Sequence, residues 1–137
     1  MLSIIIVNYK TPESLRRCVA SLKETIRKTG YEIIVIDVAS DGSAATALAP
    51  WASDINLIEF ATNTGYAKAV NAGLRAARGE YYLILNADME TPAGAVDEMM
   101  KFMTSDTAVQ ENIGLIGPRL LGLDGKVQQS AFRFYTT

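Results

Sequence analysis

Two short runs of β-branched residues, Ser3-Ile4-Ile5-Ile6-Val7-Asn8 and Ile33-Ile34-Val35-Ile36, constrain the fold most, because neither alternates polar with apolar positions. A strand with one wet face shows a period of two, whereas a strand covered on both faces reads as an unbroken apolar run. Both runs are therefore expected as central strands of a parallel sheet flanked by helices. Between them, Thr11-Pro12-Glu13 supplies an N-cap, a proline at the first helical position and an early acid. Leu15, Cys18, Val19, Leu22 and Ile26 follow at helical spacing up to Gly30.

The alternation of strand and helix continues. Asp41-Gly42-Ser43 punctuates the chain after the second strand, Gly42 shaping a turn and Ser43 capping an alanine-rich helix that Pro50 ends. Ile55 to Phe60 reads as a third strand and Thr62-Asn63-Thr64-Gly65 as a turn, followed by a helix from Tyr66 to Ala77 that Gly79 stops. Glu80 to Leu85 reads as a fourth strand, with Tyr81 and Tyr82 packed on the sheet. Thr91-Pro92 opens a helix to Met103, whose Met99, Met100, Phe102 and Met103 read as a buried face, and Ile113 to Ile116 reads as a fifth strand.

Parallel strands joined by helices demand right-handed crossovers, so the expected fold class is α/β, a three-layer αβα sandwich around a mostly parallel, doubly wound sheet. After Pro118 the pattern changes to an alternation about Leu123-Asp124-Gly125-Lys126, where Asp-Gly marks a hairpin turn. One domain is expected over 1–137, with a core at 1–118 and a hairpin at 119–137. The aromatic ending Phe132-Arg133-Phe134-Tyr135 has no polar tail and reads as the lead into an acceptor-binding half that lies outside this chain.

Composition removes several chemistries. A net charge of −2 gives no positive field for nucleic acid, and the apolar start Met1 to Val7 is too short to span a bilayer and lacks the basic region of a signal peptide. The single cysteine, Cys18, permits no internal disulfide, which fits a reducing, cytoplasmic setting. The chain has no histidine at all, so Ser-His-Asp and Cys-His arrangements are absent. Carboxylates, amides, hydroxyls and an oxygen-bound metal remain.

In an open parallel sheet, ligands bind beyond the carboxyl ends of the strands at the point where the winding reverses. Polar clusters follow four of the strands: Asn8-Tyr9-Lys10, Asp37 to Ser43, Thr62 to Gly65, and Asn86-Ala87-Asp88. None contains G-x-G-x-x-G or G-x-x-x-x-G-K-[ST], which sets aside dinucleotide and P-loop readings. Asp37 and Asp88 are read as carboxylates at neighbouring strand ends that divide the handling of a nucleotide, one accepting bonds from base or ribose and the other presenting oxygen to a cation on a diphosphate. This reading requires both to face one cleft with room for a pyrimidine nucleotide between them, and neither to be buried in a dry core. Lys68, Asn71, Arg75 and Arg78 form a helical stripe read as solvated, with Lys68 close enough to the helix start to meet a phosphate.

Four segments then make a resemblance specific: Ser3 to Tyr9; Ile36-Asp37-Val38-Ala39-Ser40-Asp41-Gly42-Ser43; Asn63-Thr64-Gly65-Tyr66-Ala67-Lys68-Ala69-Val70-Asn71-Ala72-Gly73; and Gly79 to Asp88. Over Ser3 to Pro118 the chain resembles the N-terminal, donor-binding half of inverting family 2 glycosyltransferases, in wording nearest the rhamnosyltransferase-like members. The resemblance implies a GT-A fold, a UDP- or dTDP-sugar donor, a glycan or lipid-linked acceptor, and Mg²⁺ or Mn²⁺. For the longer enzyme it also implies a place at the inner face of the plasma membrane. By position, Asp37 would read the base, with Asn8 and Tyr9 beside it. Asn63, Gly65 and Lys68 would line the donor site, Asn86 would stand for the first acid of a D-x-D-type motif, and Asp88 would bind the metal. Val38 replaces the family's usual asparagine, and no residue of this chain takes the part of the catalytic base. Two other readings stand beside this one: a sugar nucleotidyltransferase and a non-catalytic nucleotide-binding module.

Overall fold

The computed structural model describes residues 1–130; the expected hairpin strand beyond Ser130 and the aromatic ending lie outside the described residues. The chain divides into two compact units, Met1–Glu98 and Met99–Thr137. The first carries β1 (Leu2–Asn8), α1 (Pro12–Thr25), β2 (Tyr31–Val38), α2 (Ser43–Leu48) with a 3₁₀ turn at Ala49–Trp51, β3 (Ile55–Phe60), α3 (Tyr66–Ala76) and β4 (Tyr81–Asn86). These strands form one parallel sheet in the order β3-β2-β1-β4. The winding runs β1 to β3 in one direction and then returns to place β4 on the far side of β1, which makes the sheet doubly wound.

The expected burial on both faces holds for the two central strands. Ile4, Ile5, Ile6, Ile33, Ile34, Val35 and Ile36 are all essentially inaccessible. One face, bearing Ile5, Ile34, Ile36 and Val38, packs against Ala69, Leu74 and Ala76 of α3. Gly73 permits this close approach, since a Cβ there would stand 2.5 Å from Ile5 Cγ2 and 2.8 Å from Ile36 Cδ1. By strand alternation Ile4, Ile6, Ile33 and Val35 face the other side, where the right-handed crossover places α1 with its buried Leu15, Cys18, Val19 and Leu22.

The amino edge of the sheet is closed by a polar cluster. Ser3 Oγ donates to Glu32 Oε1 at 2.7 Å and accepts from Gly79 N at 2.8 Å. Arg78 donates to the same carboxylate from its backbone N (2.7 Å) and from Nε (3.0 Å). Burial works to raise the Glu32 pKa, but the bonds from Ser3 and Arg78, with the Arg78 charge, outweigh it and hold the carboxyl below its ordinary value. Gly79 does not act as a helix stop. A Cβ on it would meet Met1 O at 2.7 Å and Ser3 N at 2.8 Å, so the glycine lets the chain enter β4 against the start of β1. The helix itself ends at Ala76, so Arg78 leaves the stripe and joins this cluster.

Several local expectations change. Thr11 does occupy the N-cap of α1, but its hydroxyl makes no cap bond and donates instead to Asn8 Oδ1 at 2.9 Å. Gly42, with φ +82°, is the N-cap of α2, and it is Asp41 that bonds Ser43 N at 3.0 Å. The helix expected from Thr91-Pro92 begins only at Ala95 as α4 (Ala95–Met103), because Gly94 sits at φ +78°, outside helical space. Within α4 only Val96 is buried; Phe102 is 42% exposed, so the methionine run is not a buried face.

The second unit contains α5 (Asp106–Gln110), capped by Ser105 Oγ accepting from Ala108 N at 3.2 Å, and a small hairpin of β5 (Leu120–Leu121) and β6 (Val127–Gln128). Its Asp124-Gly125 turn matches the expectation, with Gly125 at φ +74°. Ile113 to Ile116 is not a strand. Gly114 interrupts it, Gly117 and Pro118 follow it directly and Leu115 is 89% exposed, so an apolar run alone did not secure a ladder partner.

Candidate functional site

The polar clusters expected after the strands fall at one edge of the parallel sheet, in the lateral order of β3, β2, β1 and β4. Asp37 and Asp88 are not on adjacent strands, however. β1 lies between β2 and β4, which puts two inter-strand spacings, roughly 10 Å, between the strand ends that lead to them. The winding reverses at β1, so the crevice predicted by topology opens between Asn8-Tyr9-Lys10 and Asn86-Ala87-Asp88.

The register Asn8↔Asp37 places two polar side chains side by side on the same face of β1 and β2. Asn8 Nδ2 donates to Asp37 Oδ1 at 2.7 Å, and Asn8 Oδ1 accepts from Thr11. Asn8 is wholly buried and Asp37 is 2% exposed. Burying a carboxylate at a strand end is tolerable only with such partners, and here one amide is fixed by a hydroxyl on one side and by an acid on the other. Tyr9 and Lys10 lie beyond this pair, both exposed, with Lys10 Nζ 5.7 Å from the Tyr9 ring centroid.

Two non-glycine residues adopt left-handed backbone in these loops, Lys10 at φ 55° after β1 and Ala39 at φ 56° after β2. Each costs on the order of 1 kcal/mol, and such conformations cluster where a loop must present groups to a ligand. Ser40 then ties the loop to β3, its N donating to Phe60 O at 2.9 Å and its Oγ to Glu59 Oε1 at 2.6 Å. Bonds from Ser43, with a smaller contribution from the Lys10 charge, hold Asp41 below the usual carboxylate range.

After β3, Asn63 Oδ1 accepts from Gly65 N at 2.9 Å, and Gly65, at φ +80°, is the N-cap of α3. Lys68 is exposed in the first turn of α3. Thr64, which the sequence marked only as part of a turn, has the one buried side-chain oxygen without a partner among the described residues. The end of β3, from which this cluster leads, stands three strand spacings, about 14 Å, from the end of β4.

At β4, Asn86 is the last strand residue, and Asp88 comes two residues later; both are exposed. Ala87 N bonds back to Val7 O at 3.3 Å, and Met89 N to Asn86 O, so Asp88 sits on a short turn held to β1. Behind it lies Cys18, whose thiol is pushed up to about 12 by burial and by the nearby charges of Asp88 and Glu90. Glu90 is already engaged by Arg17 at 3.1 Å. Among the described residues no three His, Cys, Asp or Glu side chains gather to hold a metal. One free carboxylate and one amide oxygen cannot cage a cation, but they suit a hard cation that keeps most of its coordination for phosphate oxygens and water.

Residues 3–118 match the family described as Glycosyl transferase family 2. The chain belongs to that family. This family 2 chain is 31% identical over 130 residues to the low-salt glycan biosynthesis hexosyltransferase Agl10 of Haloferax volcanii, covering 90% of this chain and 38% of that protein. It is 32% identical over 102 residues to the dolichyl-phosphate beta-glucosyltransferase of Dictyostelium discoideum, covering 66% and 31%. Among solved structures, the mannosyltransferase PcManGT from Pyrobaculum calidifontis, in complex with GDP-Man and Mn²⁺, superposes with a TM-score of 0.69 at 26% identity, over 77% of this chain and 33% of that one. The family 2 chain thus spans well under half the length of these relatives, and its sheet is the GT-A one. Among the described residues no helix is long and apolar enough to cross a membrane.

Proposed function

We propose that this chain is the donor-binding part of an inverting glycosyltransferase that takes a hexosyl group from a UDP- or dTDP-sugar and transfers it to a glycan or lipid-linked acceptor. The observation carrying the proposal is Asp88, exposed beside Asn86 at the β1/β4 reversal, in a chain of family 2. The motif wording close to rhamnosyltransferase-like members supports the choice of donor.

The diphosphate would lie over the β1/β4 crevice. Asp88, helped by the Asn86 amide, would hold Mg²⁺ or Mn²⁺ shared with it. Such a cation supplies charge stabilisation to a departing diphosphate. Tyr9 offers an exposed ring to the base. Asn8 and Asp37 form the floor, with Oδ1 of Asp37 committed to Asn8 and the rest of the carboxylate left for a base N–H. Asn63 and Gly65 would form the far wall, and Lys68 would meet a phosphate. Transfer is a single displacement: the deprotonated acceptor oxygen attacks the anomeric carbon as the bond to the diphosphate breaks, which inverts that centre. The base for that deprotonation is not assigned to this chain, which by itself binds donor without transferring sugar. The cytoplasm, at the inner face of the plasma membrane, is the setting where a lipid-linked acceptor would be met.

Titration calorimetry of UDP and dTDP with and without Mn²⁺ tests this. Mn²⁺ should tighten binding, and that gain should be lost in Asp88→Ala; binding indifferent to metal would remove Asp88 from the role. Incubating the whole polypeptide with donor should release nucleoside diphosphate, whereas a pure binding module releases none and a nucleotidyltransferase releases pyrophosphate from a nucleoside triphosphate.

A further inference from the structure

The chain between β4 and α4 has no regular structure from Ala87 to Gly94, yet it carries Asp88. A ligand on such a loop is only as well placed as the groups that support it. The support comes from one stripe of α1. Arg17, Ser21 and Thr25 recur every fourth residue, so they lie in a row along the helix.

At one end of the row, Arg17 Nε donates to Glu90 at 3.1 Å, and neighbouring Cys18 Sγ reaches Asn86 O at 3.9 Å. In the middle, Ser21 Oγ accepts from Thr91 N at 3.0 Å and donates to Cys18 O at 2.8 Å. Thr91 Oγ1 lies 3.3 Å from Ser21 Oγ and 3.1 Å from Thr25 Oγ1. Thr25 Oγ1 already donates to Ser21 O at 2.6 Å. With the Ser21 and Thr25 protons both spent on helix carbonyls, Thr91 is the donor, and its single proton serves one of the two oxygens at a time. Further on, Asp97 accepts from Arg27 N, Lys28 N, Thr29 N and Thr29 Oγ1, fixing the start of α4 to the chain after α1.

We infer that Ser21 and Thr91 are positioning residues for Asp88: their part-buried hydroxyl contact fixes the turn that presents this carboxylate to a cation. The Arg17–Glu90 pair is exposed on both sides and contributes little. The inference rests on the assignment of Asp88 to the cation.

Ser21→Ala and Thr91→Val test it, with Thr91→Ser as the variant that keeps the hydroxyl. Without metal, amide exchange at Met89 to Thr91 should accelerate in the first two and stay near wild type in the third. Mn²⁺ titrated in the presence of UDP should bind about tenfold more weakly in the first two, as for other residues that orient a metal ligand. UDP binding without metal should be unchanged in all three. Wild-type Mn²⁺ affinity in both Ser21→Ala and Thr91→Val would overturn the inference, as would an equal loss of UDP binding with and without metal, since that reports general loosening. Asp88→Ala separates the two layers. If it abolishes the gain in UDP binding from Mn²⁺ while Ser21→Ala and Thr91→Val behave as wild type, only the positioning role falls; if it retains that gain, the donor-site reading falls first and the positioning role with it.

Discussion

At the amino edge of the parallel sheet, Ser3, Glu32, Arg78 and Gly79 spend their polar groups on one another. At the carboxyl edge Asn8, Asp37 and Thr11 do so, as do Ser40 and Glu59, while Tyr9, Lys10, Asn86 and Asp88 stand open to solvent. The amino edge is built on backbone contact so tight that one position admits only glycine. The carboxyl edge instead holds Lys10 and Ala39 in left-handed backbone. One edge uses polar residues to close the fold, and the other holds them ready at some cost in stability. That contrast, more than any single residue, identifies the working end of the sheet.

The contrast can be broken at several points. The largest effect is expected at Gly79→Ala, where the new Cβ meets backbone atoms that cannot yield; a loss of about 3 kcal/mol should appear in denaturant unfolding. Glu32→Gln should cost about 1 kcal/mol by weakening charge-assisted bonds to a carboxylate that is 12% exposed and whose Arg78 partner lies mostly in solvent. It should also change the acid limb of stability. The folded Glu32 pKa is depressed, so its contribution is present above the ordinary glutamate value, near 4.3, and lost as pH falls through the lower folded value. Thermal melts between about pH 5 and pH 3 should therefore fall less steeply in Glu32→Gln than in wild type. At the opposite edge Asp88→Ala, an exposed substitution, should shift stability by less than about 0.5 kcal/mol. A similarly small effect of opposite sign is expected at Ala39→Gly, which relieves a left-handed alanine and should raise stability by at most about 0.5 kcal/mol, the gain being offset in part by the freer unfolded chain.

The fold of the first unit was legible because Ile4 to Ile6 and Ile33 to Ile36 lack alternation, and only burial on both faces explains that. The carboxyl-edge clusters were legible for the same reason: parallel strands all end on one side, so placing the strands also places the residues after them. Lateral order was not, since nothing local in Asp37 or Asp88 tells that β1 will lie between them. Nor was the burial of Asp37, which depends on a register that pairs it with Asn8. The contacts of Ser21, Thr91 and Asp97 were not legible because their partners lie about 70 residues away in the chain. Ile113 to Ile116 misled because an apolar run gives composition without a ladder partner.

The most direct test is to map the nuclear magnetic resonance shifts of backbone amides on adding UDP with Mg²⁺. The account predicts changes at Tyr9, Lys10, Val38 to Ser40 and Ala87 to Met89, with Ser3, Glu32, Arg78 and Gly79 left undisturbed. Changes confined to the amino edge, or none at Ala87 to Met89, would contradict it.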